Sequence, residues 1–175
     1  YHDAYVPNIF CFTQGEKFAV DDKPPAITLR TAPDLRWARR DIKSTNLLAQ
    51  VMAKHAAHKT GDYEALMIDQ DGYVTEAGSS SFFFIKDNEL FIRPVTNEIL
   101  HGITRQTMLR VARQMDLKFV ERIYKLDEVL QADEALITAS SIYVLPVSKI
   151  DDHMIADGQA GRFTVALRKA YLETA

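Results

Sequence analysis

The chain has 175 residues, 47% of them apolar and 26% charged, and its 21 Lys and Arg against 24 Asp and Glu give a net charge of -3. That is the size and make-up of one globular domain, so disorder, collagen and coiled coil are excluded, and the charge leaves no footprint for a nucleic-acid backbone. Cys11 is the only cysteine, which rules out an intrachain disulfide and a cysteine-cluster metal site and fits a reducing compartment. With no apolar run near the roughly 20 residues of a membrane span and no secretory pattern, a cytoplasmic protein is expected.

Val6 to Phe12 is apolar and aromatic and closes on Thr13-Gln14-Gly15-Glu16-Lys17, which reads as a strand and a turn. The chain opens on Tyr1 in mid-pattern, so a truncated protein is expected. Charge and proline coincide at Asp21-Asp22-Lys23-Pro24-Pro25, which places a linker there. Residues 1–23 are therefore read as the end of a small N-terminal domain with its linker, and 24–175 as the large domain. Ala26 to Thr31 alternates as a strand, and Arg36 to Lys43 is locally basic. Between Thr45 and Thr60, Leu47, Leu48, Val51, Met52, His55 and Ala56 recur at helical spacing, with Gly61 as the stop.

Tyr63 to Asp69 and Tyr73 to Thr75 flank Gln70-Asp71-Gly72, a hairpin signal. Phe82 to Ile85 and Glu89 to Ile92 flank Asp87-Asn88 as a second. Thr104 to Met115 has helical spacing, Glu134 to Thr138 and Tyr143 to Val147 read as strands, and Gly161 precedes a last helix running to Tyr171. Strand runs separated by a few long helices predict an α+β domain, and no Gly-rich dinucleotide fingerprint or P-loop contradicts this.

Lys43 stands just before a helix with Arg39 and Arg40 close by, and neighbouring cations favour the neutral amine that attacks a carbonyl carbon. By itself it also fits an ordinary surface lysine. Glu76 ends a strand and leads into Ala77-Gly78-Ser79-Ser80-Ser81. Such a carboxylate can hold a protonated ring nitrogen while small hydroxyls leave room for a flat ligand, although a solvated turn accounts for the same residues. Leu100-His101-Gly102-Ile103-Thr104 precedes a helix with Thr104 read as its N-cap; free amides and the helix dipole make an anion site there, or a simple capped helix. Ser140 and Ser141 end a strand and offer further donors. His55 and His58 are spaced as metal ligands, but no carboxylate on that helix completes a set. Gly78-Ser79-Ser80-Ser81-Phe82 lacks the second glycine of a nucleophile elbow. Trp37 and Phe82-Phe83-Phe84 are read as core.

Five segments occur in a familiar order: Arg40-Asp41-Ile42-Lys43-Ser44-Thr45-Asn46-Leu47-Leu48, Tyr63-Glu64-Ala65, Val74-Thr75-Glu76-Ala77-Gly78-Ser79-Ser80-Ser81, Gly102-Ile103-Thr104-Arg105, and Ser140-Ser141 with Leu145-Pro146-Val147. From about Ala26 onward the chain resembles the class IV, fold-type IV, pyridoxal-phosphate aminotransferases, and most of all the D-amino acid aminotransferase pattern. The resemblance implies the large domain of that fold, a mostly antiparallel sheet or pseudo-barrel with flanking helices, in a homodimer. It implies transfer of an amino group from a D-alanine-like donor to a 2-oxo acid through pyridoxal 5'-phosphate. Lys43 would be the Schiff-base lysine that also moves the proton, and Glu76 the partner of the pyridine nitrogen. Ile103, Thr104 and Ser140 would bind the phosphate, with Leu100 packed on the ring.

The sequence departs from this pattern in three places. It lacks the separate N-terminal domain that supplies a phosphate-binding arginine and part of the pocket, so the chain alone is expected to be inactive. Aligned on Pro7, His2 and Ala4 stand where an Arg-x-His pair traps the substrate carboxylate, with Val6 for the aromatic. Ala77 is inserted between Glu76 and the glycine. An (R)-amine or branched-chain transaminase, an aminodeoxychorismate lyase and an inactive core fragment are the alternatives, with Ser140-Ser141 standing where branched-chain enzymes usually have Gly-Thr-Ala.

Overall fold

Two aromatic strands organise the sheet. β4 (Ser81–Lys86) and β5 (Glu89–Ile92) pair antiparallel, with Phe84 opposite Phe91. Asp87 and Asn88 between them have φ of 52° and 62°, the doubly positive geometry of a tight hairpin whose twist matches that of its strands. In the apolar run of β4, Phe82 and Phe84 pack into one cluster with Leu66, Val74 and Tyr124, while Phe83 and Ile85 pack into another with Met108, Val111 and Leu167. Period-two alternation thus accounts for an unbroken hydrophobic strand: both of its faces are buried.

The computed structural model describes residues 6–13, 15, 21, 23–115 and 117–174. Around the hairpin run β1 (Ile27–Pro33), β2 (Glu64–Ile68), β3 (Val74–Ala77), β6 (Lys118–Glu121), β7 (Glu134–Ala139), β8 (Tyr143–Ile150) and β9 (His153–Met154). The strand order is β3-β2-β1-β8-β7-β4-β5-β6, with β9 on β8. β1 is parallel to both β2 and β8, and β5 to β6, while the other pairs are antiparallel. The two ends of this order are drawn together: Tyr73 bridges Lys125, and Val74 N–H donates to the Tyr124 carbonyl at 3.0 Å just past β6. The sheet is therefore curled on itself, as the pseudo-barrel expectation requires, and the cluster around Phe84 and Tyr124 fills it. Their rings meet edge to face at 4.9 Å.

The helices α1 (Leu48–Lys59), α2 (Ile103–Ala112) and α4 (Arg162–Thr174) lie outside, with a single turn, α3 (Leu126–Val129), before β7. α2 and α4 cover Phe83 and Ile85, and α1 rests on β1 and β2 through Ala53 and Ala57. This is the α+β architecture read from the sequence.

Several local expectations are corrected. Val6 to Thr13 carries no strand among the described residues, and Val6 and Phe10 are 89% and 86% exposed; an apolar run becomes a strand only against a partner. Gln14, Glu16, Lys17 and Asp22 lie outside the described residues. Trp37 is 42% exposed rather than core, because it stands in the irregular segment between β1 and α1. The helix expected from Thr45 starts at Leu48 and the one expected from Thr104 starts at Ile103. β6, α3 and β9 are each four residues or fewer, too short to show a period.

Candidate active site

β3 carries Glu76 at the rim of the curled sheet, where it is buried to 5% exposure. Two loops reach it. From the segment after β1, Arg36 Nη1 donates to Glu76 Oε1 in a short charged contact. From the segment after β5, the Leu100 amide donates to Glu76 Oε1 at 3.2 Å and Oε2 at 3.3 Å. Burial pushes the Glu76 carboxyl above its ordinary value, while the Arg36 charge and hydrogen bond and the Leu100 amide oppose that rise.

Asp34 anchors this arginine. Its side chain is fully buried and binds Arg36 Nε at 2.9 Å, Arg36 Nη2 at 2.7 Å and the Thr75 hydroxyl at 2.7 Å, with Arg40 Nε at 3.3 Å. Burial alone would raise Asp34, but its bonds to Arg36 and Thr75 and the Arg36 and Arg40 charges leave it below the usual carboxylate range. The arginines near Lys43 are thus spent on carboxylates, Arg40 on Asp34 and Arg39 on Asp41 at 2.7 Å. They are not bare cations facing an amine.

Lys43 is exposed, with no hydrogen bond among the described residues, on the same loop as Arg36. That loop is tied to the Leu100 loop by the Arg40 amide, which donates to the Asn97 carbonyl at 2.9 Å. Lys43 and Glu76 therefore stand on segments that meet, though not in direct contact.

Two residues beyond Leu100, Gly102 opens α2 as N-cap, with φ -60° and ψ 135° and no side-chain cap, and its carbonyl accepts from Gln106 at 3.1 Å. Thr104, expected as the cap, lies inside the first turn and is buried; Ile103 is exposed. The amides of Ile103, Thr104 and Arg105 consequently have no acceptor among the described residues, which leaves them to an anion. A Cβ on Gly102 would come 3.4 Å from Ser81 Oγ, so the end of the serine bend faces the helix start. Ser81 is in register with Thr138 on β7, whose buried hydroxyl has no partner among the described residues. Ser140 is exposed just past β7.

The other serines have a different task. Buried Glu64 accepts from the Ser79 amide at 2.7 Å, Ser79 Oγ at 2.9 Å and Ser80 Oγ at 2.8 Å, so of the three hydroxyls only Ser81 points to the α2 start. His58 Nε2 is engaged by the Tyr63 carbonyl at 2.7 Å. His2 and Ala4, at the positions of the carboxylate-trapping pair, lie outside the described residues. Arg36 and Thr138 were not read from the sequence. The signal for Arg36 was an Asp-x-Arg pair directly after a strand ending in Pro33, and Thr138 gave none beyond its place opposite a serine.

A relative named D-alanine aminotransferase, from Bacillus licheniformis, is 36% identical over 170 residues, 97% of this chain and 60% of that protein. One of the same name from Staphylococcus haemolyticus is 36% identical over 165 residues, 94% of this chain and 58% of its own. The chain thus spans about three fifths of the length of these curated relatives. Among solved structures, a T.th. branched-chain amino acid aminotransferase complexed with N-(5'-phosphopyridoxyl)-L-glutamate matches with a TM-score of 0.77 at 30% identity, over 84% of this chain and 51% of that one. The PLP form of the Thermobaculum terrenum branched-chain enzyme matches at 0.79 and 26%, over 89% and 52%. The family model for amino-transferase class IV matches residues 3–150, and with these relatives it shows that the chain belongs to the class IV aminotransferases.

Proposed function

We propose that this chain is the pyridoxal-phosphate-binding part of a transaminase that takes an amino group from a D-alanine-like amino acid and gives it to a 2-oxo acid. One observation carries the reading. A buried carboxylate and a helix N-terminus with no side-chain cap are joined by the three residues Leu100 to Gly102, so that an acid and an anion site stand at two ends of one cradle. A flat ring with a basic nitrogen at one end and a phosphate at the other fits this, and the unpartnered Thr138 hydroxyl beside Ser81 is the kind of donor a phosphate would satisfy. The names of the relatives at 36% identity support the D-alanine donor. The branched-chain names of the structural neighbours support an alternative within the same chemistry.

When bound, pyridoxal phosphate supplies a ring that takes up the electron pair left as a proton leaves the substrate α-carbon. Glu76 would hold the ring nitrogen and its proton. The amides of Ile103 and Thr104, with Ser81, Thr138 and Ser140, would hold the phosphate, and Leu100 would pack on the ring. Lys43 would be the residue that holds the cofactor at its aldehyde carbon, and its amine, when free, would hold and move the proton between substrate and cofactor.

We place the domain boundary near Lys23 and read the assembly as a cytoplasmic homodimer. No described helix is long and apolar enough to cross a membrane. α1 turns Leu48, Val51 and Met52 outward, beside exposed Leu47, an apolar patch of the kind that interfaces cover. The decisive test is borohydride reduction of the whole protein with pyridoxal phosphate, followed by peptide mass analysis. A stable pyridoxyl adduct on Lys43 is expected, and none in Lys43→Ala; an adduct that survives in that variant would overturn the assignment. Turnover of D-alanine against branched-chain L-amino acids then separates the two substrate readings.

A further inference from the structure

We propose that Arg36 is a positioning residue for Glu76: it keeps the carboxylate charged and turns it so that one oxygen stays available to the ring nitrogen. The inference rests on the cofactor reading above and deepens it. The Arg36 side chain is only 6% exposed and is fixed on both sides. Asp34 takes Nε and Nη2 in a fork, which commits the guanidinium plane, and the remaining Nη1 reaches Glu76 Oε1. The Thr75 hydroxyl, one residue before Glu76, donates to Asp34 and accepts from Arg36 Nη2 at 3.3 Å, which locks the clamp to the strand that carries Glu76.

The arginine contact falls on Oε1, whereas among the described residues Oε2 meets only the Leu100 amide, at 3.3 Å. Oε1 is thus assigned to the protein, leaving Oε2 with capacity for a further donor. Charge supports the same division of labour. A buried carboxylate drifts toward its neutral acid, which has no negative charge to set against a protonated ring nitrogen. Arg36 is the cation in contact with Glu76. Asp34 behind it opposes the effect at longer range, and Arg105 from α2 and Tyr124 beyond β6 are the other titratable groups whose fields reach Glu76. A lysine could supply the charge but not the three-way fork.

The titration of Glu76, followed by carboxyl carbon NMR in the cofactor-free protein and assigned by its loss in Glu76→Gln, tests the idea without turnover. In Arg36→Met the Glu76 carboxyl is expected to bind its proton at least about tenfold more tightly, and in Arg36→Lys by less. Arg36→Gln, which keeps a neutral donor, replaces Arg36→Met if the latter does not fold, with the same expected movement. A Glu76 titration unmoved in the Met or Gln variant, even with lowered thermal stability, would reduce Arg36 to a structural ion pair and overturn the proposal. Borohydride trapping on Lys43 in the unmutated protein separates the two levels. Trapping with an unmoved Glu76 removes the positioning role alone, whereas no trapping removes the cofactor reading and the role with it.

Discussion

Glu76 is a carboxylate kept where a carboxylate is costly, and its surroundings set the consequence of changing it. Glu76→Gln retains the shape and can still contact a ring nitrogen, but an amide brings no negative charge to hold a proton there. The variant is expected to keep the cofactor and to lose several kcal/mol of transition-state stabilisation, as for other preorganised charges. Rapid-mixing measurement of substrate α-proton exchange checks this, and an undiminished exchange rate would take Glu76 out of the site. Lys43, Glu76 and the α2 start stand out as candidates because motif order marks them. Arg36 was not: an Asp-x-Arg pair after a strand looks like any solvated surface pair, and only the return of β3 alongside buries it. Ser79 and Ser80 were misjudged for a related reason, since their partner Glu64 lies on a different strand.

At the scale of elements, α4 is fixed by a carboxylate from the sheet. Glu134 on β7 accepts from the Phe163 amide at 2.9 Å, the Thr164 amide at 2.8 Å and the Thr164 hydroxyl at 2.7 Å. Gly161 makes room for this, because a Cβ there would fall 2.0 Å from Glu134 Cδ. Glu134→Ala and Gly161→Ala are each expected to cost about 2 kcal/mol, since both empty the same cap. The double variant should lose little more than either single one. Urea unfolding of the three variants reads this directly, and additive losses would show that the two residues act independently. Gly161 was legible as the residue before a helix, but its partner on a distant strand was not. α1 shows the opposite case: its apolar stripe is plain in the sequence, yet Ala53 and Ala57 on the other side face the sheet. Helical period identifies a stripe without saying what covers it.

For the molecule as a whole, carboxylates bound to arginines set the response to acid. Asp34, Asp62 and Glu128 are all held below their ordinary values, in each case because bonds to Arg36, Arg30 or Arg122 and to neighbouring hydroxyl or amide groups outweigh burial where burial opposes them. A carboxyl lowered in the folded state stabilises fully above its unfolded value and loses that contribution as pH falls through the folded one. Stability is therefore expected to hold from neutral pH to about pH 5 and to decline from about pH 4 downward. Glu76, shifted the other way, favours the folded state at lower pH and softens this loss. Urea midpoints measured between these limits check the sign, and a midpoint that rose steadily on acidification would contradict it. The α+β class and the two hairpins were legible because local turn residues and strand periods encode them. The strand order was not, because pairing across the chain leaves no local mark.

The place of β1 in that order has a further consequence. It is the first strand in chain order among the described residues, yet it sits between β2 and β8, with Thr31 tied to Asp151 across 120 positions of sequence. At about 5–20 residues per second of synthesis, one side of β1 waits on the order of ten seconds for the strand that will cover it. During that interval the nascent chain exposes an open, β-prone edge of the kind that recruits other strands. The pairing at the middle of the strand order thus forms well after the hairpins on either side of it can.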